Sequence, residues 1–95
     1  MVSELELRRG DTTIVTRISA LILDFARIMV RQPDSMTIQS AATDSGITLT
    51  LRILKADLHL FIGHKGGTVS ALRTILAAIG AKERMKVTLF VEAIE

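Results

Sequence analysis

Between Thr13 and Arg31, apolar side chains recur at intervals of three and four: Ile14, Ile18, Leu21, Ile22, Phe25, Ile28 and Met29. That spacing lays one stripe along an amphipathic helix. Pro33 ends it, because a proline pushes the residue before it out of the helical region. The period then drops to two. Met36 and Ile38 alternate with Thr37 and Gln39, and Ile47, Leu49, Leu51 and Ile53 alternate with Thr48, Thr50 and Arg52. Turn residues Thr43-Asp44-Ser45-Gly46 separate the two runs. The pattern predicts two antiparallel strands with one face covered and one wet.

Asp57 stands where an N-cap would start a short helix through Ile62, and helical spacing resumes from Thr68 to Gly80, where the glycine suits a helix end. Residues 86–94 alternate again, Val87, Leu89, Val91 and Ala93 against Lys86, Thr88, Phe90 and Glu92. The order is α-β-β-α-α-β. Two helical pieces join the strand at 47–53 to the strand at 86–94, a connection suited to a crossover between parallel neighbours. An α+β domain follows: a three-stranded mixed sheet with helices packed on one face. It is expected to occupy residues 13–95. Residues 1–12 read as a charged, weakly ordered extension, with Gly10-Asp11-Thr12 as the turn and helix start.

Composition narrows the chemistry. The 95 residues make one small domain, and with no cysteine there is neither a disulfide nor a thiolate. A reducing, cytoplasmic setting is expected. The first residues lack the basic-then-apolar order of a signal peptide, and Asp24 and Arg27 interrupt the most apolar stretch. Formal charge is +2, a mild lean toward polyanions. Aromatics are 3% of residues, all Phe, which argues against base stacking on aromatic platforms of the kind that four-stranded RNA-binding sheets use. His59 and His64 straddle a helix end without an acidic cluster, so no metal site is expected. No Ser/His/Asp arrangement or carboxylate pair supports catalysis, and no cofactor is implied.

The informative stretch is FIGHKGGTV, residues 61–69. Gly63-His64-Lys65-Gly66 has the form G-x-x-G between two helical patterns. Gly63 sits where the first helix must end; Gly66 and Gly67 sit where the next begins, so main-chain donors and the positive dipole end are expected to face outward. His64 and Lys65 occupy the tip, and Ile62 and Val69 flank it as candidate groove walls. A plain chain reversal would use the same residues, but the surrounding strand–helix–loop–helix–strand order favours an anion-binding loop. The spacings G-x-x-x-x-G-K-[ST] and G-x-G-x-x-G are both absent.

FIGHKGGTVSALRTILAAIGAKERMKVTLFVEAIE resembles the core of a K-homology (KH) domain, an apolar residue, G-x-x-G and then an apolar helix. The element order resembles the type II variant. From about Arg17 to Glu95 the chain is similar to the small bacterial single-KH RNA-binding proteins of the KhpA type, with the same apolar helix ending near a proline and a V-x-L-x-V-E-like last strand. Residues 1–16 lie outside the resemblance. It implies an RNA-binding protein, a post-transcriptional regulator or RNA chaperone of the bacterial cytoplasm, whose loop clamps about four single-stranded nucleotides. The clamp would be Gly63, His64, Lys65 and Gly66. The short helix before it and the last strand would close the groove. Two departures lower the charge at the tip: His64 replaces the usual Lys or Arg, and Gly67 replaces the usual Arg.

Arg73 and Lys86 are the further candidates for phosphate contact, whereas Lys82 reads as a solvated charge. On the second long helix, Ala71, Ile75 and Ala78 either widen the apolar arc that packs on the sheet and the first helix or form a patch that a second helix could approach closely. The resemblance also implies homodimers and a larger KH-containing partner of the Jag/EloR type. The alternative reading is a degenerate KH domain whose purpose is protein–protein assembly.

Overall fold

A single stripe on the first helix decides how the sheet is covered. The computed structural model describes the backbone of residues 4–95 and the side chains of residues 13–95. Helix α1 spans Glu4–Met29. It runs straight through Gly10-Asp11-Thr12, which therefore does not start it; a mid-helix glycine costs only about 1 kcal/mol, less than continuous helical hydrogen bonding can offset. The weak order expected of residues 1–12 lies outside the described residues for 1–3 and for the side chains of 4–12. Ile18, Ile22, Ala26 and Val30 are buried at steps of four. Leu21 and Ile28 do not belong to that stripe: they are 48% and 81% exposed. Ile28 lies two residues past Ala26 and so points to the far side of the cylinder.

The sheet has the order β1-β2-β3. β1 (Thr37–Ala42) pairs antiparallel with β2 (Gly46–Leu54), and β2 pairs parallel with β3 (Lys86–Ile94). The hairpin closes tightly: Thr43 N–H donates to Gly46 O at 2.7 Å, and Gly46 N–H to Thr43 Oγ1 at 3.1 Å. Ile47, Leu49, Leu51 and Ile53 of β2 and Leu89 of β3 are buried against the helices. The alternate positions Thr48, Thr50, Arg52, Phe90 and Glu92 face away, as period-two alternation requires. The mixed sheet with one covered face is therefore as the sequence pattern predicts.

α2 (Leu58–Ile62) and α3 (Gly67–Glu83) make the crossover. Phe61 is fully buried and meets Phe25 of α1 edge-to-face at 6.1 Å, which fixes α2 against α1. Asp57 does not cap α2. Its side chain is buried, and Oδ2 accepts the N–H groups of Arg31 at 3.2 Å and Gln32 at 2.9 Å, just past the end of α1.

α3 continues beyond Gly80, which is buried because its α-carbon lies against the Met85 carbonyl. The helix ends at Arg84, a non-glycine residue at φ 58°, ψ 41°. Arg84 N–H donates to Ala81 O at 3.3 Å and Met85 N–H to Gly80 O at 2.9 Å, the paired bonds of a Schellman ending. A side chain at such a left-handed position costs about 1 kcal/mol or more. Arg84→Gly is therefore expected to raise stability by about 1 kcal/mol, which moves the thermal midpoint of a domain this size up by about 4–8 °C. A melt with no upward shift would contradict it.

Candidate nucleic-acid interface

The loop between α2 and α3 is shaped by three successive backbone departures. Gly63 N–H still donates to His59 O at 3.0 Å, closing α2, but Gly63 itself takes φ 83°, ψ 172° and turns the chain away. His64–Gly66 form one tight turn in which Lys65 (φ 53°, ψ 29°) and Gly66 (φ 74°, ψ 14°) are both left-handed. Gly67 then returns to φ −62°, ψ −40°, and α3 starts.

Two amides expected to face outward are committed inside this turn. Gly66 N–H donates to Gly63 O at 3.1 Å, and Gly67 N–H donates to His64 O. The donors that α3 leaves without an acceptor in its own first turn are, by position, those of Thr68 and Val69. The space above the turn is open: a Cβ at Gly66 or at Gly67 would meet nothing within 4 Å. Gly63 is the opposite case, with Thr68 packed where its side chain would be.

Charge here has one sign. From Leu58 to Lys82 the sequence holds Lys65, Arg73 and Lys82 and no Asp or Glu. His64 and Lys65 are exposed at the tip, with no ion-pair partner among the described residues. Arg73 lies two turns along α3, about 10 Å from Gly66. Its Nε and Nη2 both donate to the Leu89 carbonyl of β3, at 3.3 Å and 3.0 Å. Arg73 thus ties α3 to the edge strand and keeps Nη1 for another acceptor. This anchoring has no local sequence signal, since the carbonyl lies on a different element.

The other expected residues divide. Ile62 is half-buried beside the loop. Val69 is 8% exposed and belongs to the core, so it supplies no open groove wall. Lys86 lies at the start of β3, in register with Gly46, at the end of the sheet remote from the loop. The 17 residues of α3 span about 25 Å between the two. Ala71, Ile75 and Ala78 share one exposed stripe of α3, with Ile75 50% exposed. His59 is exposed on α2, and Asp24 is exposed on α1 and paired with Arg27 at 3.3 Å.

Two clefts lie elsewhere. One of about 590 Å³ opens between the β1–β2 hairpin and the end of α3, beside Asp44 and Arg84; one of about 370 Å³ runs between α1 and α3, beside Leu21 and Ile79. Neither includes the glycine loop, which is an exposed ridge; a ligand there would lie along the surface. Among the described residues, no helix is long and apolar enough to cross a membrane.

A family model described as KhpA/KhpB, KH domain, matches residues 19–91. The chain is 33% identical over 69 residues to the RNA-binding protein KhpA of Listeria monocytogenes, covering 73% of this chain and 91% of that protein. It is 34% identical over 62 residues to RNA-binding protein KhpA of Streptococcus pneumoniae, covering 65% and 78%. With RNA-binding protein KhpA of Bacillus subtilis the identity is 34% over 67 residues, covering 70% and 83%.

Proposed function

Since the chain belongs to the KhpA/KhpB family of KH domains and has the type II order of elements, we propose that it binds single-stranded RNA, without catalysis, at the Gly63–Gly67 loop. The observation that carries this reading is the open space above Gly66 and Gly67: the left-handed backbone accounts for glycine at 66, but Gly67 is already helical and a Cβ there would meet nothing within 4 Å. A phosphodiester can approach there to contact distance. The first-turn amides of Thr68 and Val69 meet it, with the positive end of α3 behind them. Lys65 adds a mobile charge from the tip, and Arg73 offers Nη1 farther along. Ile62 gives the strand an apolar contact. The relatives named RNA-binding protein support the ligand class. A role as post-transcriptional regulator or RNA chaperone in a bacterial cytoplasm belongs to the same proposal.

Replacing both His64 and Lys65 by Asp tests it. Both side chains are exposed, so the melting curve should hardly change. Affinity for a mixed-sequence RNA oligomer should fall by about tenfold or more, and the slope of log K against log salt should become shallower by about one. Amide resonances of residues 62–68 that stay still when RNA is added to the parent protein would overturn the assignment.

One observation favours a second role. The stripe of Ala71, Ile75 and Ala78 exposes a branched side chain between two small ones on a helix flank. Such a surface lets another helix approach closely, and it suits a homodimer or a larger KH-containing partner of the Jag/EloR type. A degenerate KH domain would use this stripe alone. Self-association by sedimentation together with unmoved loop amides would favour that reading over RNA binding.

A further inference from the structure

We propose that Phe90, on the open face of the sheet, stacks a nucleobase of the RNA strand that leaves the glycine loop, so that the binding surface continues around the edge of β3. This inference rests on the RNA-binding reading. Phe90 is 51% exposed, whereas the other two phenylalanines, Phe25 and Phe61, pack on each other between α1 and α2. Leaving half of the ring in water forgoes burial worth about 1 kcal/mol, and the pattern of β3 would have accepted a threonine there.

The surroundings of the ring identify its occupant. Register places Thr50 beside Phe90, and Gln39 beyond Thr50, in one row across the three strands. Thr88 precedes it on the same face, and the next row carries the Arg52–Glu92 ion pair at 3.7 Å. A docked protein needs a contiguous, charge-depleted apolar core; this face offers one ring among hydroxyls, an amide and paired charges. A base needs one π-face with hydrogen-bonding groups at its edge, which is what this row presents. Lys86 stands on the same face, four residues toward the start of β3, about 13 Å away. It lies remote from the loop yet is placed to meet a phosphate of a strand crossing this face.

Continuity with the loop comes from Arg73. Its guanidinium bridges α3 to the Leu89 carbonyl, and Phe90 is the next residue, projecting from the opposite face of the same edge strand. An RNA that follows α3 for two turns arrives at this edge, and one further nucleotide around it reaches the ring.

Length dependence is the decisive reading. A tetranucleotide fills the loop clamp alone, and a mixed-sequence decanucleotide can also reach Phe90. Phe90→Ala and Phe90→Leu are expected to weaken the decanucleotide about 5- to 150-fold, the range that base–aromatic stacking commands by alanine substitution. Phe90→Tyr keeps the affinity, and the tetranucleotide binds all variants alike. The chain has no Trp, so the emission of F90W reports on this position alone and is quenched only by the longer oligomer. Unchanged decanucleotide affinity in Phe90→Ala overturns the proposal, as does an equal loss for both lengths. An altered sedimentation coefficient with unchanged RNA affinity overturns it too, in favour of a protein contact. If the parent binds neither oligomer, the RNA-binding reading itself fails, and that outcome is distinct from the others.

Discussion

Gly63→Ala is expected to cost about 3–4 kcal/mol, a large fraction of the roughly 5–14 kcal/mol available to a domain of this length. Two terms add. At φ 83°, ψ 172° the backbone is in a region essentially reserved for glycine, and holding another residue there costs about 1–3 kcal/mol. The new methyl would also overlap Thr68 Oγ1 and stand 2.8 Å from Thr68 Cβ and 2.9 Å from Thr68 N. Thr68 lies in the first turn of α3, so relief requires α3 or α2 to shift. Urea unfolding should show the loss as a lower midpoint with an unchanged slope. Gly67→Ala is the matched control. Its backbone is already helical and the methyl meets open space, so stability should hold or rise by up to about 1 kcal/mol. That methyl nevertheless stands where a phosphodiester would approach, and RNA affinity should fall. One Gly→Ala change removes stability, and the other removes binding. A Gly63→Ala protein as stable as the parent would mean that the loop geometry described above is wrong.

This division explains what the sequence could and could not disclose. Periodicity located β2 and β3 to within a residue, because their alternation is a direct record of which face is covered. On β1 it stopped at Gln39, three residues short, since Ser40, Ala41 and Ala42 are all exposed and carry no alternation. The glycine loop was legible for a related reason: two glycines that begin a helix ask to be explained. What periodicity could not supply was the rotation of α1. Leu21 and Ile28 have the right chemistry for a buried stripe, but the helix axis over the sheet selects Ala26 and Val30 instead. Nor could local signals say which amides stay free. The turn takes up those of Gly66 and Gly67 through Gly63 O and His64 O, so the amides left by position without an acceptor are those of Thr68 and Val69. Lys86 looked close to the loop because β3 closes the motif in sequence; parallel pairing puts its first residue at the far end. In each case the missing information was the relative placement of two elements, which a one-dimensional pattern does not encode.

Asp57 is the clearest example, and removing it carries the second large effect. An acidic residue just before a short helix reads locally as a cap, yet its carboxylate turns away to hold the chain where α1 gives way to Pro33. Asp57→Ala leaves the Arg31 and Gln32 N–H groups without their acceptor, in a place where the carboxylate itself is only 3% exposed. Each buried donor left unpaired costs about 1–3 kcal/mol, so a net loss of about 2–4 kcal/mol is expected after partial hydration. Asp57→Asn keeps one oxygen able to accept both bonds, though without the charge that strengthens them, and should lose about half as much. The consequence extends to the site. Asp57 immediately precedes α2, and α2 delivers Ile62 and Gly63 to the loop, so the contact fixes the base of the glycine loop against α1 from 25 residues away. Native-state hydrogen exchange should therefore quicken across α2 in Asp57→Ala more than across β2, whose ladder bonds lie on both of its sides. If α2 exchanged no faster than β2, the carboxylate would be stabilising the end of α1 alone and would have no part in positioning the loop.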